Sequence, residues 1–541
     1  MLFRSRGPGA PEPGRARRWI ALVPAGLVLA AGVWLRLDQL GWQVPADDEW
    51  HALRAVLEHD TEDLLRHFGL SDRSIPLTLL YRFLAEWVGL DEVLLRLPQL
   101  LSGLLALVLL PLLAPRSAPA GTRIGLACLL AVAPMLVGFS RYARPYMPAA
   151  LLASAALLAG LRWLEREQVR FGIALVLLGS LALWLLPPAA PLVLAPWALL
   201  LARAAGRAKY PKLMQLFGAA LIFLGLCALL LGPPLLADGA TLAAKTVGER
   251  AGPASLAVAG MLLAGIDQTW LLALWAAGIL AGLALLARRE RRPALWLGLG
   301  LLFQAAGVLA SGALGLSVPI VLARYLLPAL PLALLPLAAT LARVDRALNT
   351  IFRYWPHGLA AAAAAAALLA AGPLPGIHTR PNGWTNHALF QYSPRPAVNP
   401  YLAWLAPPAM PGLLYGPGRG APVLHAPFPY MWHHNPLPFF QHAHRRPVVA
   451  GVAGKLCPGG PPEVPLDARF RFRTVVGLAD LEGLRRRGVE FVVIHRAGPL
   501  GEIGTVAWSA FDAGPVLDWC EKAFGDPILA EGGVAVYWGG E

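Results

Sequence analysis

Apolar residues in this chain gather into long runs separated by short charged links. The first run is "WIALVPAGLVLAAGVWL" at 19–35 and the last is "GLAAAAAAAALLAAG" at 358–372. Runs of roughly 15–20 residues match the hydrocarbon thickness of a bilayer, so the pattern predicts about eleven membrane spans. They fall near 19–37, 97–114, 122–139, 145–161, 171–187, 189–203, 213–235, 267–287, 294–311, 325–341 and 358–374. The first follows Arg15, Arg17 and Arg18 and reads as an uncleaved anchor rather than a signal peptide cut at "LAA", because Arg36, Asp38 and a functional-looking loop come at once. The last is the weakest, since alanine contributes little to insertion; Tyr354 and Trp355 would anchor its inner end.

The links alternate in charge. One set holds Arg4, Arg6 and Arg15–Arg18, then Arg116 and Arg123, Arg162, Arg166 and Arg170, Arg203, Arg207, Lys209 and Lys212, "RRERR" at 288–292, and Arg343, Arg346 and Arg353. The other holds few cations: Arg141 and Arg144, Lys245 and Arg250, and Arg324. The positive-inside rule therefore predicts a cytoplasmic N-terminus. Two outer loops are long. Residues 38–96 carry Trp50, Leu53, Leu57, Leu64 and Phe68 at helical spacing, followed by "IPLTLLYRFLAEWVGL", which suits helices lying in the interface plane. The second loop, about 236–266, contains Asp238, Lys245, Glu249 and Arg250.

Near residue 375 the long runs stop and Pro, Gly, His and Trp become frequent. "RFRFRTVV", "VEFVVIHR" and "GGVAVYWG" read as short strands, and "LADLEGLRRRG" as a helix stopped at Gly488. The expected fold is a polytopic α-helical membrane domain over 1–374 and a soluble α/β domain over 375–541, with 375–450 wrapping rather than forming regular elements. With this topology the second domain lies outside the cytoplasm.

Composition agrees. The 541 residues are 57% hydrophobic and 14% charged, where a soluble domain is about half apolar and about a quarter charged. The net charge of +14 would suggest nucleic acid in a soluble protein, but here the excess sits in the links and orients spans, which argues against a nucleic-acid partner. The four cysteines have no zinc spacing: Cys128 and Cys227 lie in apolar runs, while Cys457 and Cys520 are either paired or free thiols.

Candidate chemistry lies on the outer side. In "WQVPADDEWHALRAVLEH", Asp47, Asp48 and Glu49 stand where the chain leaves the membrane. Acids here complement a helix N-terminus, and one of them is placed to take a proton from an attacking hydroxyl. "FSRYARPYMPAALL" and "VPIVLARYLLPALPL" put Arg141, Arg144 and Arg324 at the outer mouth, against the charge trend. Such cations either snorkel to headgroups or cradle a lipid phosphate, which guanidinium forks bind well. Together they describe sugar transfer from a polyprenyl-phosphate donor, delivered by membrane lipid, to a glycan, lipid or protein acceptor. Trp432, His433 and His434 in "HAPFPYMWHHNPLPFFQHAH" are candidates for acceptor contact, and the histidine spacing there fits no standard metal motif.

The Asp-Glu pair in the first outer loop, followed by "RLPQLLSGLLAL", "SRYARPYMPAALL" and "ARYLLPALPL", resembles the membrane GT-C glycosyltransferases, in their bacterial ArnT/PMT-like (RgtA/B/C/D-like) branch. The resemblance covers about 18–345, and "LRRRGVEFVVIH" is similar to a segment of the periplasmic domains such proteins carry. It implies a bacterial inner-membrane enzyme, an inverting hexosyl or pentosyl transfer and a loop-one aspartate as base. That role maps to Asp48, with Asp47 making the register ambiguous by one residue. Glu49 would position the base or bind the acceptor. The loop at 236–266 lacks a clear second acidic motif, so no cofactor is assigned and a divalent metal stays possible. The competing readings are a lipid-linked sugar flippase or transporter, which would show internal repeats and midplane charges, and a non-catalytic membrane scaffold.

Overall fold

The computed structural model describes residues 22–38, 40–45, 48–69, 74–207, 210–244, 248–352, 358–372, 374, 405, 421–426, 437, 440, 444, 446–452, 469–495, 514–531 and 534–539, without the side chains of 203–212. The chain enters through helix α1 (Val23–Leu37) and then forms an outer layer of α2 (Glu49–Glu58), α3 (Thr61–Arg66) and α4 (Ile75–Trp87). The bundle follows as α5 (Glu92–Leu113), α6 (Ala120–Val132), α7 (Pro134–Phe139), α8 (Tyr146–Arg166), α9 (Val169–Leu185), α10 (Ala190–Arg207) and α11 (Tyr210–Ala244). It is completed by α12 (Pro253–Ala264), α13 (Thr269–Arg289), α14 (Arg291–Ala310), α15 (Pro319–Leu326), α16 (Leu330–Ile351) and α17 (Leu359–Ala371).

Among the described residues, seven stretches are long and apolar enough to cross a membrane: Val23–Trp42, Glu92–Leu113, Tyr146–Arg166, Leu213–Ala244, Thr269–Arg289, Arg291–Ala310 and Pro319–Ile351. The other expected spans are shorter apolar helices. The run at 122–139 is split because Pro134 cannot donate into the preceding helix. The freed carbonyls of Leu130 and Ala131 accept instead from buried Arg36, at 2.9 and 2.7 Å. The alanine-rich α17 packs against α6, α16 and α1 and so belongs to the bundle. Helix α8 is buried along nearly its whole length and packs against α9, α5 and α10. Helices α13 and α16 approach closely because Gly282 has no side chain: a Cβ there would lie 1.8 Å from the Pro336 carbonyl oxygen.

The expected second outer loop is different in the structure. Helix α11 continues to Ala244 with a kink at Asp238 (φ −135°, ψ 22°), and α12 occupies much of the rest. Asp238 is held there by Gly69, between α3 and α4, whose N–H donates to its Oδ2 at 2.9 Å.

The C-terminal part forms one six-stranded sheet of β1 (Val423–Ala426), β2 (Val448–Val452), β3 (Val475–Gly477), β4 (Phe491–His495), β5 (Leu529–Glu531) and β6 (Val534–Trp538), in the order β3-β2-β1-β4-β6-β5. The first four run parallel, with Val423 opposite both Val448 and Phe491, and β6 pairs antiparallel with β4 and β5. The strands expected in "RFRFRTVV", "VEFVVIHR" and "GGVAVYWG" are β3, β4 and β6. The expectation that 375–450 lacks regular elements is corrected by β1 and the start of β2, four- and five-residue strands whose order comes from their neighbours. Helix α18 (Leu481–Arg486) is capped by Asp480 and followed by Gly488 at φ +63°. With α19 (Gly514–Phe524) it covers one sheet face, burying Leu424, Val449, Val492 and Ile494. The other face, with Val423, Ala450, Val475 and Val493, is continuous with the core of the helical bundle. A largely parallel sheet needs both faces covered, and here the membrane domain supplies one cover. Cys520 in α19 is buried, and Cys457, the other half of the expected pair, lies outside the described residues.

Candidate active site

Asp48 and Glu49 stand at the start of α2, adjacent in sequence and different in surroundings. Glu49 is fully buried. Its Oε1 accepts from Arg96 Nε at 3.0 Å and from the Ala143 N–H at 2.8 Å, and its Oε2 accepts from Arg96 Nη2 at 2.8 Å. Arg96 also donates to the carbonyls of Leu40, Gln43 and Val44 at 3.1, 2.7 and 3.4 Å. One planar guanidinium thus ties the descent from α1, the start of α2 and, through Glu49, the turn before α8 into a single unit. A lysine has no such fork.

Asp48 takes the N-cap position but makes no side-chain cap bond to its own helix. Its carboxylate faces cations instead: Oδ2 lies 2.6 Å from Arg324 Nη1 and 3.8 Å from Arg144 Nε. Arg144 Nη1 donates to the Asp48 carbonyl at 3.3 Å, and His51 Nε2 lies 3.7 Å from Oδ1. Both guanidiniums lie over the Tyr146 ring, 6.0 Å from its centroid for Arg144 and 5.4 Å for Arg324. Aromatic faces hold cations together that would otherwise repel. The buried Nε of Arg324 has no hydrogen-bond acceptor among the described residues.

Local sequence explains the placement. Arg144 precedes Pro145, which disfavours helix at the residue before it, so the 140–145 segment stays open and presents the Ala143 N–H to Glu49. Arg324 lies in the last turn of α15. The next carbonyl, of Tyr325, accepts from buried Gln304 of α14 at 2.7 Å, and the same amide accepts from the Leu192 N–H at 3.1 Å. Gln304 therefore pins α15 to the two helices behind it.

Of the residues singled out from the sequence, Asp48, Arg144 and Arg324 come together and Glu49 adjoins them. Arg141 does not join them. Its Nη1 donates to the Leu35 carbonyl at 2.6 Å, beside Asp38, which is a cap on the end of α1 rather than a cradle facing Asp48. Asp47, Trp432, His433 and His434 lie outside the described residues. Arg96 and His51 escaped the sequence reading. A lone arginine one turn inside an apolar helix, opposite an acidic loop, is the signal that marks Arg96.

No group of three His, Cys, Asp or Glu residues among those described is placed to hold a metal ion. The described acids of this site, Asp48 and Glu49, are matched by guanidiniums, and a divalent cation beside Asp48 would face Arg324 and Arg144. Among the described residues, the donor set of this site does not suit a metal.

A second polar cluster lies on the sheet face turned towards the bundle. His425 Nδ1 is 2.9 Å from His495 Nε2, and His425 Nε2 is 3.2 Å from His444 Nε2. The Arg446 N–H donates to His444 Nδ1 at 3.0 Å. That donor fixes every proton for neutral rings: His444 carries its proton on Nε2, His425 on Nδ1 and His495 on Nδ1. The rings form a directed file rather than converging on one point. Burial lowers the pKa of His444 and of His495 to about 3, with Arg446 adding to the effect at His444. Burial, and then its two neighbours, holds His425 well below the usual range.

No family model and no curated protein matches the chain. Among solved structures it is similar to ArnT from Cupriavidus metallidurans in the apo state, at 14% identity and a TM-score of 0.47 over 97% of this chain and 98% of that one. The same protein bound to undecaprenyl phosphate gives 15% identity and 0.48 over 96% and 98%. The archaeal oligosaccharyltransferase AglB from Archaeoglobus fulgidus, in complex with an inhibitory peptide and a dolichol-phosphate, gives 14% and 0.38 over 89% and 70%.

Proposed function

We propose that this chain is an integral-membrane glycosyltransferase that moves a sugar from a polyprenyl-phosphate donor to a hydroxyl of a glycan, lipid or protein acceptor. The observation that carries the reading is the meeting of Asp48 with Arg324 and Arg144, three positions far apart in the chain, at a partly buried spot where the Arg324 Nε–H has no acceptor among the described residues. A carboxylate beside a phosphate-shaped set of donors is the minimum equipment for displacing a lipid phosphate with an alcohol.

The acceptor oxygen forms a bond to the anomeric carbon as the bond from that carbon to the phosphate oxygen breaks. Asp48 Oδ1 or Oδ2 takes the hydroxyl proton, and the electron pair of the broken bond leaves on the lipid phosphate. Arg324 and Arg144 stabilise that departing charge. The donor phosphate competes with Asp48 for Arg324, so its arrival frees the carboxylate to act as base. Displacement from the opposite side inverts the anomeric centre. A paired carboxylate is a weak base, and a phosphate is a good enough leaving group to need no stronger one. Glu49 positions the base through Arg96. In this reading the chain sits in a bacterial inner membrane with its N-terminus in the cytoplasm. Residues 1–374 form the membrane domain and 375–541 the extracytoplasmic one.

The test compares lipid-linked sugars and envelope glycans from a deletion strain carrying the parent chain or Asp48→Asn. The parent should restore one missing glycan; Asp48→Asn, expressed at the same level, should leave it missing and the donor lipid accumulated. Unchanged glycans on deletion, or full restoration by Asp48→Asn, would overturn the reading.

A further inference from the structure

The C-terminal sheet domain meets the membrane domain at the first turn of α5, and the contacts there converge on one carboxylate. Glu92 is buried, and its Oε1 accepts from the N–H of Arg473, the N–H of Thr474 and the Thr474 hydroxyl, each at 2.7 Å. Just before it, Leu90 donates to the Arg469 carbonyl at 2.7 Å and accepts from the Arg471 N–H at 2.8 Å, a parallel bridge to Phe470. Gly89 turns with φ +86°, a left-handed conformation that residues with a Cβ rarely adopt, so the turn into this contact favours glycine. Phe472 meets Trp50 edge to face at 6.2 Å.

These contacts lie immediately behind the candidate active site. Residues four apart share a helix face, so Glu92 sits one turn from Arg96, whose fork holds Glu49. Trp50 is the next residue after Glu49, and its indole N–H donates to the Pro45 carbonyl at 2.8 Å. Two lines therefore run from the sheet domain to the start of α2. One passes through Thr474, Glu92, the first turns of α5 and Arg96; the other passes through Phe472 and Trp50. Apolar surface would suffice for adhesion. A buried carboxylate is costly unless fully bonded, and three donors on one oxygen fix its position in a way greasy contact does not.

We propose that Glu92 and Thr474 are positioning residues, forming a latch by which the 469–474 segment holds the first turn of α5 and, through Arg96 and Trp50, sets Asp48 for sugar transfer. Its catalytic consequence rests on the glycosyl-transfer reading above, whereas the latch itself is carried by the contacts. Small displacements of a base cost rate more than binding: about 1 Å can cost on the order of a hundredfold.

The experiment uses the full chain in detergent, with Thr474→Val, Thr474→Ser and Glu92→Gln. Amide hydrogen exchange is followed in α2, with α13 and α14 as distant references. Transfer from a polyprenyl-phosphate sugar is measured alongside. Thr474→Val and Glu92→Gln should speed exchange in α2 and leave α13 and α14 unchanged. They should lower kcat about tenfold with the donor KM within about twofold. Thr474→Ser, which keeps the hydroxyl, should match the parent in both. Unchanged α2 protection in both weakened variants, a rise spread evenly over the whole chain, or a higher KM at unchanged kcat would each overturn the latch. If the parent chain transfers no sugar while α2 still loosens, the latch stands and the glycosyl-transfer reading falls.

Discussion

Replacing Glu49 by glutamine distinguishes a residue that holds the site from one that touches the acceptor. The carboxylate is fully buried and receives three donors, two of them from Arg96, which is itself fully buried. Glutamine keeps the shape and one accepting oxygen. It removes the negative charge and turns an NH2 towards a donor. Breaking a buried pair from one side costs about 3–5 kcal/mol, because the remaining guanidinium stays desolvated without its counter-charge. Glu49→Gln should therefore lower stability by about that amount and lower transfer with it. The check is a double-mutant cycle of Glu49→Leu, Arg96→Met and the pair, followed by thermal unfolding in detergent and by transfer of labelled sugar. The pair should recover about half of the stability lost by Glu49→Leu alone. Recovery is incomplete because the carbonyls of Leu40, Gln43 and Val44 lose the donor that Arg96 gave them. A Glu49→Gln chain as stable as the parent but unable to transfer would refute the positioning argument and make Glu49 a group in contact with the acceptor.

Arg324→Met removes the nearer guanidinium at Asp48. With a charge-assisted hydrogen bond worth about 1.5–3 kcal/mol, the donor KM should rise roughly ten- to a hundredfold, whereas Arg141→Gln should leave it within about twofold. Direct binding of a short polyprenyl phosphate checks both. Stability should also fall in acid. The folded pKa values of His444 and His495 are about 3 and that of His425 is lowered too, while unfolded histidines titrate near their ordinary value of about 6.5. The unfolded state then binds more protons below about pH 6.5, so the stabilisation is complete above that pH and is lost as pH falls towards about 3, by about 1.4 kcal/mol per pH unit for each histidine. Unfolding midpoints of the parent and of His495→Gln between pH 7 and 4 test this, and the variant should show the shallower slope.

The helical bundle is readable from sequence because spans announce themselves: a run such as that of α5 or α13 admits little else. Ends are harder, since the break at Pro134 needed Arg36 to satisfy the carbonyls it freed. Helix α18 is legible from Asp480 and Gly488, which act within one turn. Strand β1 is not, because four residues between prolines become a strand only through pairing with β2 and β4. The continuation of α11 through Asp238 likewise depends on Gly69, supplied from far away in the chain. At the candidate site, Asp48, Arg144 and Arg324 stood out because polar residues are conspicuous at the ends of apolar runs. Direction was invisible: nothing in "SRYARP" tells that Arg141 turns back to Leu35 while Arg144 faces Asp48. Arg96, at the head of the quoted segment "RLPQLLSGLLAL" and just before the expected span, was hidden for the same reason.

The hydrogen bonds that close on Glu92 join residues 381 and 382 positions apart. Synthesis at about 5–20 residues per second separates their appearance by on the order of 20–80 s. Throughout that interval the early outer helices exist without the segment that grips them, and Glu92 can remain hydrated until the sheet arrives. The order of manufacture thus makes the later-born domain the finisher of a region laid down before it, and a nascent chain caught between the two would show protease-accessible bonds in α2 that vanish once the 469–474 segment has docked.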